Sequence, residues 1–149
     1  MSNITQAVNT DKNLKTLKRS VHASDMDQLL SSSGPFTFFA PSDLAFEKLE
    51  KGFMDDMLEL QNRPLLAELI KNHVVNGKVS FKELKDGDKL KTINGKELKV
   101  QVRNGNVNIG DCVVEAKDTK TSNGVIHSLD TVLTNRLVDT GKEKEKSSE

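Results

Sequence analysis

At 149 residues, with 22 Lys plus Arg against 22 Asp plus Glu and a formal net charge of zero, the chain has the size of one domain and no overall field to draw it toward nucleic acid or an anionic membrane. Phenylalanine is the sole large aromatic type, Trp and Tyr both being absent, which removes the usual interface anchors and the platforms on which sugars and bases stack. A lone cysteine, Cys112, excludes an intrachain disulfide, and no apolar run approaches the roughly 18 residues that a membrane span needs.

Taken in chain order, the first periodic signal is Leu14, Leu17, Val21, Leu29 and Leu30, whose spacings near three and four predict amphipathic helix. Ser24 and Asp27 form a capping-box pair, which divides this stretch into two helices, the second running from about Asp25 to Ser31. Beyond Gly34-Pro35, the run Phe36 to Ala40 predicts a short buried strand that Pro41 ends. Ser42 is placed to cap a helix over Asp43 to Glu50, with Leu44, Ala45 and Leu49 on one face. Phe53, Met54, Met57, Leu58 and Leu60 suggest one more short helix, as core or as an adaptable docking surface. Pro64 then suits the first turn of a helix carrying Leu65, Leu66, Leu69 and Ile70.

After Asn76 the grammar changes. Asn-Gly or Asp-Gly pairs at Asn76, Asp86, Asn94 and Asn104 predict tight turns between strands. Leu98, Val100 and Val102 alternate with Lys99, Gln101 and Arg103, so that strand buries one face; Val107 and Ile109 continue the pattern. Val113-Val114 and Val125-Ile126 are apolar at consecutive positions, as in strands covered on both sides, while Thr119 to Ser122 reads as a polar connection. The sum is an α+β domain with an antiparallel strand-rich core over residues 1–136. The charged, apolar-free end, 137–149, is expected to be disordered.

Two segments carry a resemblance to a known family. Gly34-Pro35-Phe36-Thr37-Phe38-Phe39-Ala40-Pro41-Ser42-Asp43-Leu44-Ala45-Phe46 is similar to the buried strand, proline and capped helix of fasciclin domains, and Ser122-Asn123-Gly124-Val125-Ile126-His127-Ser128-Leu129-Asp130 resembles their closing strand. Asn72-His73-Val74-Val75-Asn76-Gly77-Lys78 is similar to the family's helix exit. The resemblance implies a wedge of two packed β-sheets flanked by several short helices, no catalysis and no cofactor, and use in cell adhesion. It also implies an extracellular, cell-surface or periplasmic location, expected here if a leader has been removed, because the N-terminus lacks a signal's apolar stretch. Asn72 stands where many members carry a tyrosine, and Asp118-Thr119 where several carry Asp-Ile, the positions linked to integrin recognition in animal members. The missing ring and isoleucine remove anchor area.

The residues themselves offer little chemistry. His22, His73 and His127 lack the close spacing of a local metal site, Ser42 lacks the glycine-flanked elbow of a hydrolase, and Cys112 sits in a strand context that favours a small buried thiol. His127, inside an apolar strand, reads as a structural histidine tying strand to loop, beside the structural Asn123, Gly124, Pro41 and Ser42. The expected function is a non-catalytic adhesion or protein-interaction module whose partner is another protein or a second copy, with Asn72, His73, Asp118 and Thr119 as candidate contacts. The alternative is a periplasmic or surface binding protein for a small molecule or polysaccharide.

Overall fold

A computed structural model describes residues 2–49, 51–109, 112–115 and 119–133. The expected boundary at residue 136, the tail 137–149 and Asp118 fall outside them. Helices α1 (Ile4–Thr10), α2 (Lys15–Ala23), α3 (Asp27–Leu30), α4 (Asp43–Glu47), α5 (Phe53–Met57) and α6 (Arg63–Lys71) occupy the first half with strand β1 (Phe36–Pro41). Strands β2 (Val74–Asn76), β3 (Lys89–Lys91), β4 (Glu97–Arg103), β5 (Asn106–Ile109), β6 (Cys112–Val114), β7 (Thr119–Thr121) and β8 (Gly124–Leu129) make up the second.

The strands follow one path, β2-β1-β8-β6-β5-β4-β3, with β7 also on β8. Strand β6 meets β8 at Val114 and Leu129, with Glu115 N–H donating to Ser128 O at 2.9 Å and Asp130 N–H to Val113 O at 3.2 Å, and this junction divides the path into two arms. At the far ends an isolated bridge between Val75 and Thr92, with Ile93 N–H donating to Val74 O at 2.9 Å, brings the arms together into a nearly closed barrel. The sheet is mixed, and not antiparallel throughout as expected from the sequence: β1 and β8 run parallel, Phe36 beside Gly124 through Pro41 beside Leu129.

All six residues of β1 are buried because the strand separates two cores. Phe36, Phe38 and Ala40 point to the helices, where Ile4, Val8, Leu17, Val21, Leu66 and Ile70 complete the packing. Phe39 points into the barrel against Val100, Val107, Ile109, Val114 and Leu129. Burial of each such side chain stabilises the fold by roughly 1.5–3 kcal/mol.

Local signals account for most of the frame. Ser42 caps α4, its Oγ accepting from Ala45 N–H at 3.3 Å, and the next residue reaches further: Thr16 N–H donates to Asp43 Oδ1 at 2.9 Å, giving α2 the cap that Leu14 lacks. Asn104 and Gly105 both adopt positive φ, 52° and 82°, the requirement of a tight turn between β4 and β5.

Four expectations are corrected. Ser24 does not cap α3; its Oγ donates to Ser20 O at 2.7 Å, the competing back-bond of a serine inside a helix, and Asp25 at φ 60° delays the new helix to Asp27. Leu44 points to solvent while Ala45 and Phe46 face the core, since one helical step turns a side chain by about 100°. Leu65 is likewise outward. Thr119 to Thr121 is a strand paired with Gly124 to Ile126, where the sequence suggested a connection. Helix α1 had no forecast; its start is fixed by a capping box between Asn3 and Gln6.

Candidate functional site

Asn123 and Gly124 form the tightest point of the frame. Asn123 Oδ1 accepts from Ile4 N–H at 2.9 Å, and its amide nitrogen donates to Leu30 O at 2.9 Å and Ser32 O at 2.7 Å. One buried amide thus ties the first turn of α1 and the exit of α3 to the start of β8. The Asn123 carbonyl accepts from Phe36 N–H at 2.9 Å, opening the parallel pairing with β1. At Gly124 the strands come so close that a Cβ would lie 1.9 Å from Phe36 O, so glycine is the residue that fits.

His127 links β8 to the loop that follows β2. It is fully buried, stacks on Phe39 with ring centroids 5.4 Å apart, and its Nε2 donates to Val79 O at 2.7 Å. Thr37 secures the same loop, its hydroxyl donating to Gly77 O at 2.7 Å and accepting from Val79 N–H at 2.8 Å. The imidazole thus meets a backbone carbonyl on one side and an aromatic ring on the other.

Asn72 and His73, offered by the sequence to a partner, lie inside the molecule at 0% and 1% exposure, where a partner has no access to their side chains. They belong to the closure of the barrel. Asn94 Nδ2 donates to Asn72 Oδ1 at 2.6 Å and to Glu68 Oε1 at 3.1 Å, fastening the Asn94-Gly95 turn to α6. Leu133 N–H donates to His73 Nε2 at 2.9 Å, which leaves the proton on Nδ1, 2.8 Å from Leu69 O. Burial lowers the His73 pKa to about 4, partly opposed by the bond to the Leu69 backbone. The imidazole is therefore neutral at pH 7, so it joins the end of α6 to the end of the chain's described part without carrying charge. The apolar run Ile70 and Val74-Val75 around this pair was the signal of burial. Thr119 is half-buried on β7, and Asp118 lies outside the described residues.

Among the described residues no group of three or more His, Cys, Asp or Glu side chains is arranged to hold a metal ion, and His22 lies on the surface of α2 against Asp27 at 3.1 Å. Cys112 is buried within the barrel. The exterior has more to offer. An open groove of about 350 Å³ runs between α2, α4 and α5, lined by Lys15, Thr16, Arg19, Asp43, Phe46, Glu47 and Met54. Its rim opposes two cations to two carboxylates. Among the described residues, three large apolar side chains on the helical side are exposed: Leu44 at 68%, Leu60 at 75% and Leu65 at 54%. Met54 and Met57 are half-buried against the helical core, in contact with both packing and solvent. No described helix is long and apolar enough to cross a membrane.

A helix-flanked mixed barrel whose buried polar side chains hold backbone is a scaffold class, and comparison with known proteins gives it a family. The fasciclin-domain profile matches residues 12–135; the chain belongs to the fasciclin domain family. It is 33% identical over 133 residues to the uncharacterized protein sll1735 of Synechocystis, covering 89% of this chain and 98% of that one. Protein sll1483 of the same organism is 34% identical over 123 residues, 83% of this chain and 68% of that protein. Transforming growth factor-beta-induced protein ig-h3 of Sus scrofa is 31% identical over 133 residues, which are 89% of this chain and 19% of the larger protein. The fold also matches a FAS1 domain pair from the insect cell adhesion molecule Fasciclin I, with TM-score 0.79 at 17% identity, over 92% of this chain and 52% of that chain. This chain thus spans about half of that structure.

Proposed function

We propose that the chain is a non-catalytic protein-interaction module of the adhesive kind, working outside the cytoplasm, whose helical side is offered to another protein or to a second copy of itself. The observation that carries the reading is the fate of the interior polar groups. Asn123, His127, Asn72 and His73 hold turns, loops and helix ends, so they are engaged in the frame and what remains available is surface. Leu44, Leu60 and Leu65 supply the apolar part of that surface, each able to contribute roughly 1.5–3 kcal/mol if covered. The likeness to a domain pair from a cell adhesion molecule supports the same use.

Light scattering across a concentration series tests the simplest partner. The expected result is a mass that climbs above 16.5 kDa for the wild type and stays at the monomer value for a Leu60→Lys/Leu65→Lys double variant. A wild-type mass fixed at 16.5 kDa to millimolar concentration removes the second copy. Turnover in a hydrolase panel, abolished by a point substitution, overturns the non-catalytic reading.

A further inference from the structure

The net neutrality of the chain conceals a local charge pattern on the β3-β4-β5 arm. Along β4, Leu98 and Val100 enter the barrel core, so Glu97, Lys99, Gln101 and Arg103 face outward by strand alternation. The register places Lys89 directly opposite Lys99 and Lys91 opposite Glu97. On the other side of β4 it places Asn108 opposite Gln101 and Asn106 opposite Arg103. One sheet face thus carries the cations Lys89, Lys91, Lys99 and Arg103, all exposed, against the carboxylate of Glu97.

The ion pairs of the described residues do not include any of those four cations. Two further carboxylates sit beside β4, Asp86 with Oδ1 accepting from Val102 N–H at 2.9 Å and Asp88 with Oδ2 accepting from Lys85 N–H at 3.1 Å, so with Glu97 they offset part of the positive charge and leave a small local excess of cations. Like charges directly opposite on paired strands repel, and a bound anion removes that cost. Lys99 and Arg103, four residues apart on one strand, stand roughly 13 Å apart, with the amides of Gln101, Asn106 and Asn108 between and beside them. Asn108 Oδ1 is covered and takes no hydrogen bond among the described residues.

We propose that the outward face of β3, β4 and β5 binds an acidic polysaccharide, its sulfates or carboxylates meeting Lys89, Lys99 and Arg103 and its hydroxyls meeting the amides. The face is extended and open, as a linear polymer requires. It presents no aromatic ring on which a single-stranded base can stack. The large exposed apolar residues, Leu44, Leu60 and Leu65, sit on the helical side, so a bilayer has no anchor at this face. The inference is independent of protein docking on the helices.

Fluorescence anisotropy with the full chain and labelled dextran sulfate, a labelled polyuronate and labelled neutral dextran tests it at two salt concentrations. The expected result is binding to one or both acidic polymers, weaker at high salt, and none to neutral dextran; the two acidic probes separate sulfate from carboxylate recognition. Lys89→Gln/Lys99→Gln should lose about tenfold, the scale of two exposed ion pairs, with an unchanged or higher thermal midpoint. Lys15→Gln/Lys18→Gln on α2 removes the same charge and should stay within about twofold. The proposal is overturned if the wild type ignores both acidic polymers at low salt, or if the α2 variant loses as much. It is also overturned if a single-stranded oligonucleotide or anionic vesicles bind as tightly with the same variant dependence. Leu60→Lys/Leu65→Lys should leave polymer binding unchanged, so failure at the helices and failure at this face are read separately.

Discussion

The β1-β8 seam and the β3-β4 hairpin use the same extended backbone under opposite constraints. In the seam both strands are covered on two sides, the carbonyl of Phe36 occupies the space a Gly124 side chain would need, and Asn123 satisfies three separate pieces of backbone. In the hairpin Leu90, Leu98, Val100 and Val102 meet core, while the residues that alternate with them face outward. A segment fixed from both faces has little freedom to acquire a partner, whereas a half-solvated one can change its outward residues without disturbing the frame. Recognition is therefore expected on the hairpin and the helical surface, and stability in the seam.

The comparison can be broken most forcefully at Gly124. Gly124→Ala sets a methyl 1.9 Å from Phe36 O, against backbone that has no alternative rotamer. The expected loss exceeds about 4 kcal/mol, comparable with the whole stability of a small domain, so the variant should lack a cooperative thermal transition by circular dichroism. A wild-type midpoint would show that the seam is not tight.

His73 sharpens the same contrast through pH. Its folded-state pKa is about 4 against 6.5 for the free group, so between these values the unfolded chain binds a proton that the folded chain refuses. Its contribution is fully present above pH 6.5 and declines as pH falls toward 4, by a total of about 3 kcal/mol. Urea denaturation across pH 4 to 7 should show this slope in the wild type and lose its share in His73→Phe, which costs stability at every pH but no longer titrates. Identical slopes in both proteins would place the titration elsewhere. A smaller loss is expected for His127→Ala, about 1–3 kcal/mol from the unpaired Val79 carbonyl, together with the stacking on Phe39; an unchanged midpoint would contradict it.

How far these features were legible depended on whether their cause was local. The buried strand at Phe36, the Ser42 cap, the alternation of β4 and the Asn104-Gly105 turn follow from neighbouring residues, and each appears as read. The parallel pairing of β1 with β8 joins residues far apart in sequence, and no periodicity encodes it. Ser24 misled because two bonding partners compete for one hydroxyl, and the helical carbonyl won. Asn72 and His73 look like surface polar residues at a helix end, but barrel closure through Val75 and Thr92 encloses them. That closure is a tertiary event. The charge pattern of the hairpin was hidden for the same reason: Lys89 and Lys99 become neighbours only when the register is known.

The smallest expected effect is the most discriminating between frame and surface. Lys99→Glu replaces a like-charge pair opposite Lys89 by an opposite-charge pair on an exposed face, so it should raise stability by roughly 0.2–1 kcal/mol at low salt and lose that gain as salt screens the pair. Glu97, two residues along the same outward face, reduces the gain because it is itself acidic and already opposite Lys91. The same substitution should weaken acidic-polymer binding, since it removes a cation and adds a repulsive charge. A residue whose reversal stabilises the fold yet costs recognition is held against stability by its surface role. Loss of stability in Lys99→Glu, measured by denaturation at two salt concentrations, would mean instead that the hairpin face is part of the frame and that the contrast with the seam fails.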